Sequence, residues 1–288
     1  MSTFALGDLS VHRVGFGAMQ LPGPGVMGPP RDRDAAIAVL RRAVELGVDH
    51  IDTAQFYGPD VANELIREAL HPYPDHLVLV SKVGAARDAD GGWLPAQRPE
   101  QLRAAVEENL RSLGVEQLGA VNLRLHDGEG HDGEPPVALA DQLAEVVALR
   151  EEGKVAGVGI STATRAQVQQ AIDQAGIVCV QNAFSLGDTS DAEVLDLCHG
   201  AGVAYVPYFP LGSAFPGTPK VVEDPAVLAV AARTGATPAQ VGLAWLLAHR
   251  ENVLLIPGTS SVAHLEENVA VADVVLSPED LAELERGR

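Results

Sequence analysis

The chain has 288 residues, 47% of them hydrophobic, and a formal net charge of −19. That length suits two ordinary domains or one large α/β barrel of typically ~250 residues. So acidic a surface repels phosphate backbones and anionic lipid, and no apolar run approaches the ~18 residues needed to span a bilayer, so neither a nucleic acid nor a membrane is expected as partner.

The opening MSTFALGDLS has neither the basic nor the apolar region of a secretory signal. Two cysteines, Cys179 and Cys198, give no disulfide framework and read as buried small hydrophobes. A reducing cytoplasm is therefore the expected location. In chain order, FALGDLSVHRV predicts a hairpin around Gly7-Asp8 that plugs one end of the fold. VHRVGFG is the first of eight apolar runs, and a helix over 34–46 follows it, with Ile37, Leu40 and Val44 on one face and a stop at Gly47. HIDTA and LVLVSKV come next, then a helix over 100–113 that stops at Gly114. LGAVNLRLH, VAGVGIS, IVCVQNAF, AYVPYFP and VLLIPGT complete the set, with helices ending at Gly153, Gly202 and Gly235, where glycine suits the left-handed C′ position. A strongly apolar helix over 237–249 precedes the last run, and further helical sequence follows it.

Continuous apolar strands alternating with helices imply a parallel sheet covered by helices, and eight such units closing on themselves make a (β/α)8 TIM barrel. The competing architecture is an open doubly wound sheet, but no G-x-G-x-x-G follows a first strand, and GFGAMQ has only part of that spacing. The Pro/Gly-rich stretches 20–30, 127–136 and 212–225 read as loops of one domain spanning 1–288.

Barrel enzymes place their chemistry at the C-terminal ends of the strands. The runs here exit on Asp52, Ser81-Lys82, His126, Ser161, Gln181-Asn182, Tyr208 and Gly258-Thr259-Ser260. A free phenol with a pKa of ~10 is a poor acid at neutral pH, and a nearby ammonium favours its ionisation. A carboxylate keeps that ammonium charged, and a neutral imidazole can hydrogen-bond a carbonyl oxygen. Asp52, Tyr57, Lys82 and His126 thus supply the parts of a device that protonates a carbonyl oxygen as hydride reaches its carbon.

DTAQFYG, VSKVG, GVGIST, VQNAFS, YFPLGS and IPGTSSVAHLEEN together resemble the motifs of the aldo-keto reductases over essentially the full chain. The 28–58 segment and VNLRLH look most like bacterial members acting as pyridoxal reductases or general oxidoreductases. The resemblance implies a barrel that binds NADP(H) without a Rossmann domain and reduces an aldehyde or ketone, with pyridoxal a first substrate to consider. It makes Tyr57 the general acid, Lys82 and Asp52 its tuning pair, and His126 the carbonyl-orienting group. It assigns Ser161 and Gln181 to the carboxamide, Tyr208 to the nicotinamide face, and Leu211, Gly212 and Ser213 to the pyrophosphate. Gly258, Thr259, Ser260, His264, Glu267 and Asn268 fall to the adenosine and its 2′-phosphate, and Gly17 and Met19 to the nicotinamide.

Three places depart from the family pattern. Gly258 and His264 stand where the clamp usually offers a Lys or Arg, which weakens the preference for NADP and leaves NAD(H) open. Thr162 stands where an Asn is common, and Asp127 follows His126 where an aromatic or basic residue is often found. In VNLRLH, strand alternation puts Asn122, Arg124 and His126 on one side, so an inward His126 brings Arg124 inward too, and an acidic partner for it is expected. His131 reads as a solvated loop residue. Substrate specificity is expected from loops 20–32, 84–98, 127–136 and 212–224. Two other functions fit parts of the pattern: an NADP-binding regulator with little turnover, and a lyase forming a Schiff base through Lys82, although a close Asp52 opposes the neutral amine this needs. By analogy with the family the chain is expected as a monomer or weak oligomer.

Overall fold

A computed structural model describes residues 2–126, 135–212 and 220–286. An antiparallel hairpin opens the chain, β1 (Thr3–Leu6) against β2 (Leu9–His12), turning at Gly7-Asp8. The main sheet then alternates strands with helices. Its members are β3 (Phe16–Gly17), β4 (His50–Asp52), β5 (Val78–Arg87), β7 (Leu118–Arg124), β8 (Val155–Ser161), β9 (Cys179–Gln181) and β10 (Ala204–Tyr205), all paired in parallel in that order. The two edges of this sheet meet the segment 253–255, which bridges Tyr205 through Val253 and Val14 through Leu255, again in parallel. A curled parallel sheet of barrel type results.

Helices follow the strands: α1 (Arg33–Glu45), α2 (Val61–Leu70), α3 (Pro99–Leu113), α4 (Leu139–Glu151), α5 (Arg165–Ala175) and α6 (Ala192–Gly200). Then come α7 (Pro225–Thr234), α8 (Pro238–His249), α9 (Val262–Ala270) and α10 (Pro278–Leu284). Their ends obey local chemistry. Asp32 accepts the Ala35 N–H at the start of α1, and Thr237 and Gln240 form a reciprocal cap at the start of α8. Gly114 and Gly235 take the left-handed conformation that ends α3 and α7.

Alternation along each strand sorts the side chains. Ile51, Leu79, Val121, Leu123, Val158, Ile160 and Val180 face outward and join the core beneath the helices. The inward set includes Val80, Ala120, Cys179, Ala204, Val206 and Leu254, which pack with Leu6 and Val11 of the hairpin. Register stacks the interior in layers. Lys82 lies level with Asn122, then Gly159 and Cys179, and one layer nearer the strand exits Arg124 lies level with Ser161 and Gln181. Gly159 has to be glycine, because a Cβ there would run into Asn122 Oδ1 and Cys179 Sγ.

One expected loop is not a loop. β5 continues past Lys82 to Arg87 and returns antiparallel as β6 (Trp93–Ala96), so much of 84–98 is a ribbon projecting from the strand-exit end.

Candidate active site

β4 is only three residues long, and its terminal Asp52 points into the sheet interior, buried. Both carboxylate oxygens are engaged. Lys82 Nζ forms an ion pair with Oδ1 and also donates to the Thr53 carbonyl at 3.1 Å, while Gln181 Nε2 donates to Oδ2 at 2.9 Å. Burial pulls the Lys82 pKa down, but the charge of Asp52 and the contact with Tyr57 outweigh it and hold the ammonium above its ordinary value.

Tyr57 closes a turn from β4, its N–H bonded to the Ala54 carbonyl at 3.0 Å, and its own carbonyl receives the Ala62 N–H at the start of α2. The ring is buried with Lys82 Nζ 5.0 Å from its centroid. The expected depression of the phenol's pKa is not what the geometry gives. Burial raises it, the Asp52 charge adds to the rise, and the pull of Lys82 does not overcome them. Tyr57 is thus a firmly protonated donor in a dry site.

A polar network behind this trio was missed in the sequence. Thr53 Oγ1 donates to Asn63 Oδ1 at 2.8 Å, and Asn63 Nδ2 donates to Asn109 Oδ1 and Ser112 Oγ, both at 2.9 Å. Ser81 Oγ reaches the same Asn109 oxygen at 2.6 Å. All of these groups are buried, so α2 and α3 grip the residues adjoining Asp52 and Lys82. The available signal was Asn63 on the apolar face of α2 and Asn109 with Ser112 on that of α3.

The exit of β7 holds Arg124 and His126 in different settings. His126 lies beyond the end of the strand, exposed, and makes no hydrogen bond or ion pair among the described residues. The ladder's last residue is Arg124, and its charge acts on the Tyr57 phenol. The acidic partner expected for Arg124 is absent among the described residues. Its guanidinium instead lies 5.0 Å from the Trp93 ring centroid, with a buried Nη1 that has no acceptor.

The remaining expected residues divide by place. Ser161 and Gln181 are buried at adjacent strand exits in the layer of Arg124. Thr162 follows in the left-handed region at φ 59°. Tyr208 is half-buried beside Asn182 and meets Phe209 edge to face at 5.2 Å, and Leu211 and Gly212 follow in the turn. Gly17 and Gly258 bring two backbones together, since a Cβ on Gly17 would sit 2.5 Å from the Ile256 carbonyl and one on Gly258 2.5 Å from the Gly17 carbonyl. Met19 lies half-buried in the next turn. Gly258 and Ser260 are exposed, whereas Thr259 is buried with Oγ1 accepting from the Ser261 N–H at 3.0 Å. His264 is exposed on the first turn of α9, and Glu267 and Asn268 are half-buried farther along it. Ser213, Asp127 and His131 lie outside the described residues. No metal-binding group of His, Cys, Asp or Glu occurs among the described residues.

With the carboxylate–ammonium–phenol trio at the exits of a parallel barrel-type sheet, comparison with known proteins is decisive. The profile of the aldo/keto reductase family matches residues 13–287. The chain belongs to that family. It is an oxidoreductase. As an aldo/keto reductase it is 50% identical over 284 residues to the pyridoxine 4-dehydrogenase of Escherichia coli strain K12, which covers 99% of this chain and 97% of the relative. It is 38% identical to an uncharacterized oxidoreductase of Schizosaccharomyces pombe, over 98% of this chain and 89% of that one. Among solved structures, an aldo/keto reductase from Klebsiella pneumoniae in complex with NADP and acetate superposes with a TM-score of 0.79 at 27% identity, covering 96% and 91% of the two chains.

Proposed function

We propose that this aldo/keto reductase reduces an aldehyde or ketone to the alcohol with NADP(H), with Tyr57 as general acid and pyridoxal among its substrates. The observation that carries the reading is the buried Asp52–Lys82–Tyr57 constellation at one mouth of the sheet. The bound NADP of the Klebsiella structure and the name of the Escherichia coli relative support the cofactor and the substrate.

The residues present fit a nicotinamide dinucleotide. Ser161 and the Gln181 amide offer hydrogen bonds to a carboxamide, and the half-buried Tyr208 offers an aromatic face. Leu211 and Gly212 would follow on the pyrophosphate side, where the family resemblance also assigns Ser213. Gly258, Thr259, Ser260 and His264 lie at the N-terminal end of α9, where backbone N–H groups favour a phosphate, and Glu267 and Asn268 follow farther along the helix toward the adenosine. Gly17 and Met19 adjoin the same seam. When bound, the reduced cofactor supplies hydride to the carbonyl carbon. Tyr57 hydrogen-bonds the carbonyl oxygen and gives it the proton, and the Lys82 ammonium, fixed by Asp52, stabilises the phenolate left behind. With His264 the sole expected cation for a 2′-phosphate, NAD(H) is the weaker alternative cofactor.

The rest of the reading is architectural. One domain spans the chain, the hairpin closes the barrel's N-terminal end, and the helices after 255 would hold the adenosine. No described helix is long and apolar enough to cross a membrane. The proposed enzyme is cytoplasmic and acts on a small molecule as a monomer or weak oligomer.

The test is loss of NADPH absorbance with pyridoxal and with an activated aldehyde, repeated with NADH. Tyr57→Phe is expected to lose about 10²–10⁴ of turnover while still binding NADPH. Full activity in that variant would remove Tyr57 from the mechanism. Tight NADPH binding with no turnover on any aldehyde would favour a regulator. Borohydride trapping of a substrate on Lys82 would favour a lyase, which the charge-stabilised ammonium opposes.

A further inference from the structure

The acidic chain pairs its surface arginines generously: Arg42 with Glu266 and Glu45, Arg103 with Glu145 and Glu152, Arg250 with Asp196. Two arginines at the strand-exit mouth are treated differently. Arg87 and Arg124 both lie against the Trp93 ring, at 4.1 Å and 5.0 Å from its centroid, and neither has a carboxylate partner among the described residues. Arg87 donates through Nη2 to the Gly25 carbonyl at 2.8 Å, yet its Nε and Nη1 are buried without an acceptor, as is Nη1 of Arg124. Asp88, the nearest carboxylate in sequence, acts on Arg87 through its charge but makes no ion pair with it, and spends Oδ1 on the N–H groups of Asp90 and Gly92 in its own turn.

Buried donors without acceptors are costly, and two like charges on one ring repel each other. Both penalties are relieved by one oxyanion seated between the forks, since guanidinium N–H groups match carboxylate and phosphate oxygens in pairs. The place connects directly to the proposed chemistry. The Trp93 ring meets Phe56 edge to face at 5.3 Å, Phe56 meets Tyr57 in the same way at 5.5 Å, and the Arg124 charge acts on the Tyr57 phenol.

We propose that Arg87 and Arg124, held on Trp93, form an oxyanion subsite beside Tyr57, and that the substrate is a small carbonyl compound bearing a phenolate, carboxylate or phosphate. The proposal rests on the reductase reading for the identity of the substrate, but not for the existence of the subsite. Arg87 and Arg124 are specificity-determining residues here, and the exposed His126 has no part in it. An enzyme of net charge −19 thereby admits an anion through a local reversal of its field.

The experiment has two readouts. The first is kcat/KM with NADPH for benzaldehyde against 4-carboxybenzaldehyde, salicylaldehyde above its phenol pKa, and a phosphorylated benzaldehyde, which separates the three oxyanions. The second is quenching of tryptophan fluorescence by benzoate or phenyl phosphate against neutral benzamide, with Trp93→Phe identifying the responding ring. The wild type is expected to favour at least one anionic aldehyde, and to bind its non-reducible analogue, by about tenfold or more over the neutral compound. Arg87→Gln and Arg124→Gln are each expected to collapse that ratio, with Arg124→Lys retaining part of it, and near-UV circular dichroism verifies the fold of each. Turnover without preference for any anion, or a ratio unchanged in both variants, overturns the subsite and leaves the reductase standing. Benzoate binding that vanishes in the arginine variants, with no aldehyde reduced, upholds the subsite and brings down the reductase.

Discussion

Gln181 and Asp52, 129 residues apart, share a buried hydrogen bond of 2.9 Å from Nε2 to Oδ2, which leaves Oδ1 to Lys82 alone. The carboxylate is thus held from two sides, and removing its charge strands the ammonium. Asp52→Asn is expected to destabilise the protein by about 3–5 kcal/mol, the range for an uncompensated buried charge. The double variant Asp52→Asn/Lys82→Met is expected to be less damaged than Asp52→Asn alone. Urea unfolding midpoints at unchanged slope measure both, and a double variant worse than the single one would refute the account.

Alkaline stability follows from the buried phenols. Burial raises the pKa of Tyr57 and of Tyr205, and pushes Tyr73 up to about 12. A raised folded pKa means that the folded state holds its proton more tightly than the unfolded chain. The stability is therefore complete below the unfolded value of ~10 and is lost as pH climbs from there through the folded values. The share of phenolate absorbance that belongs to these three tyrosines is expected to rise late and together with unfolding, instead of at the pH seen in denaturant.

Thr162 occupies the left-handed region at φ 59°, a conformation that β-branched residues avoid and asparagine tolerates. Such residues cost of order 1–3 kcal/mol. Thr162→Asn is expected to stabilise the fold by about 1 kcal/mol, read as a rise in urea midpoint. The departure from the family's Asn noted in the sequence thus marks a strained position next to Ser161.

Asn63 joins Thr53 to Asn109 and Ser112 by three hydrogen bonds, all in the buried interior. Asn63→Ala leaves those partners short of a donor or acceptor, at about 1–3 kcal/mol for each group unsatisfied. The expected result is a lowered unfolding midpoint together with reduced turnover, because Thr53 directly follows Asp52. A variant of unchanged stability would show that water replaces the amide.

His264 is exposed on the first turn of α9, without the fixed charge of an arginine. His264→Arg is expected to raise affinity for NADPH over NADH by about tenfold, since charged donors hold phosphate roughly twice as strongly as neutral ones. Fluorescence titration of the two cofactors gives the ratio.

The alternation of runs and the polar strand exits made the barrel type and the Asp52–Lys82 pair readable in advance, because each depends on local pattern. The β7 exit was not readable. β7 ends at Arg124, short of His126, and that end is set by the register Lys82–Asn122 and Arg124–Ser161 between strands. The Trp93 ribbon was hidden for a related reason. Its pairing to β5 runs beyond the sheet, where turn-rich sequence resembles a loop. The sign of the Tyr57 shift required burial, a property of the assembled site, to be weighed against a neighbouring charge.

The seam at 253–255 has a further consequence for biosynthesis. Until this stretch has left the ribosome, β3 and β10 present open parallel edges with no partner for Val14 and Tyr205. Ring closure therefore waits for residues 253–255, and nascent lengths that stop short of them leave two parallel edges open to association.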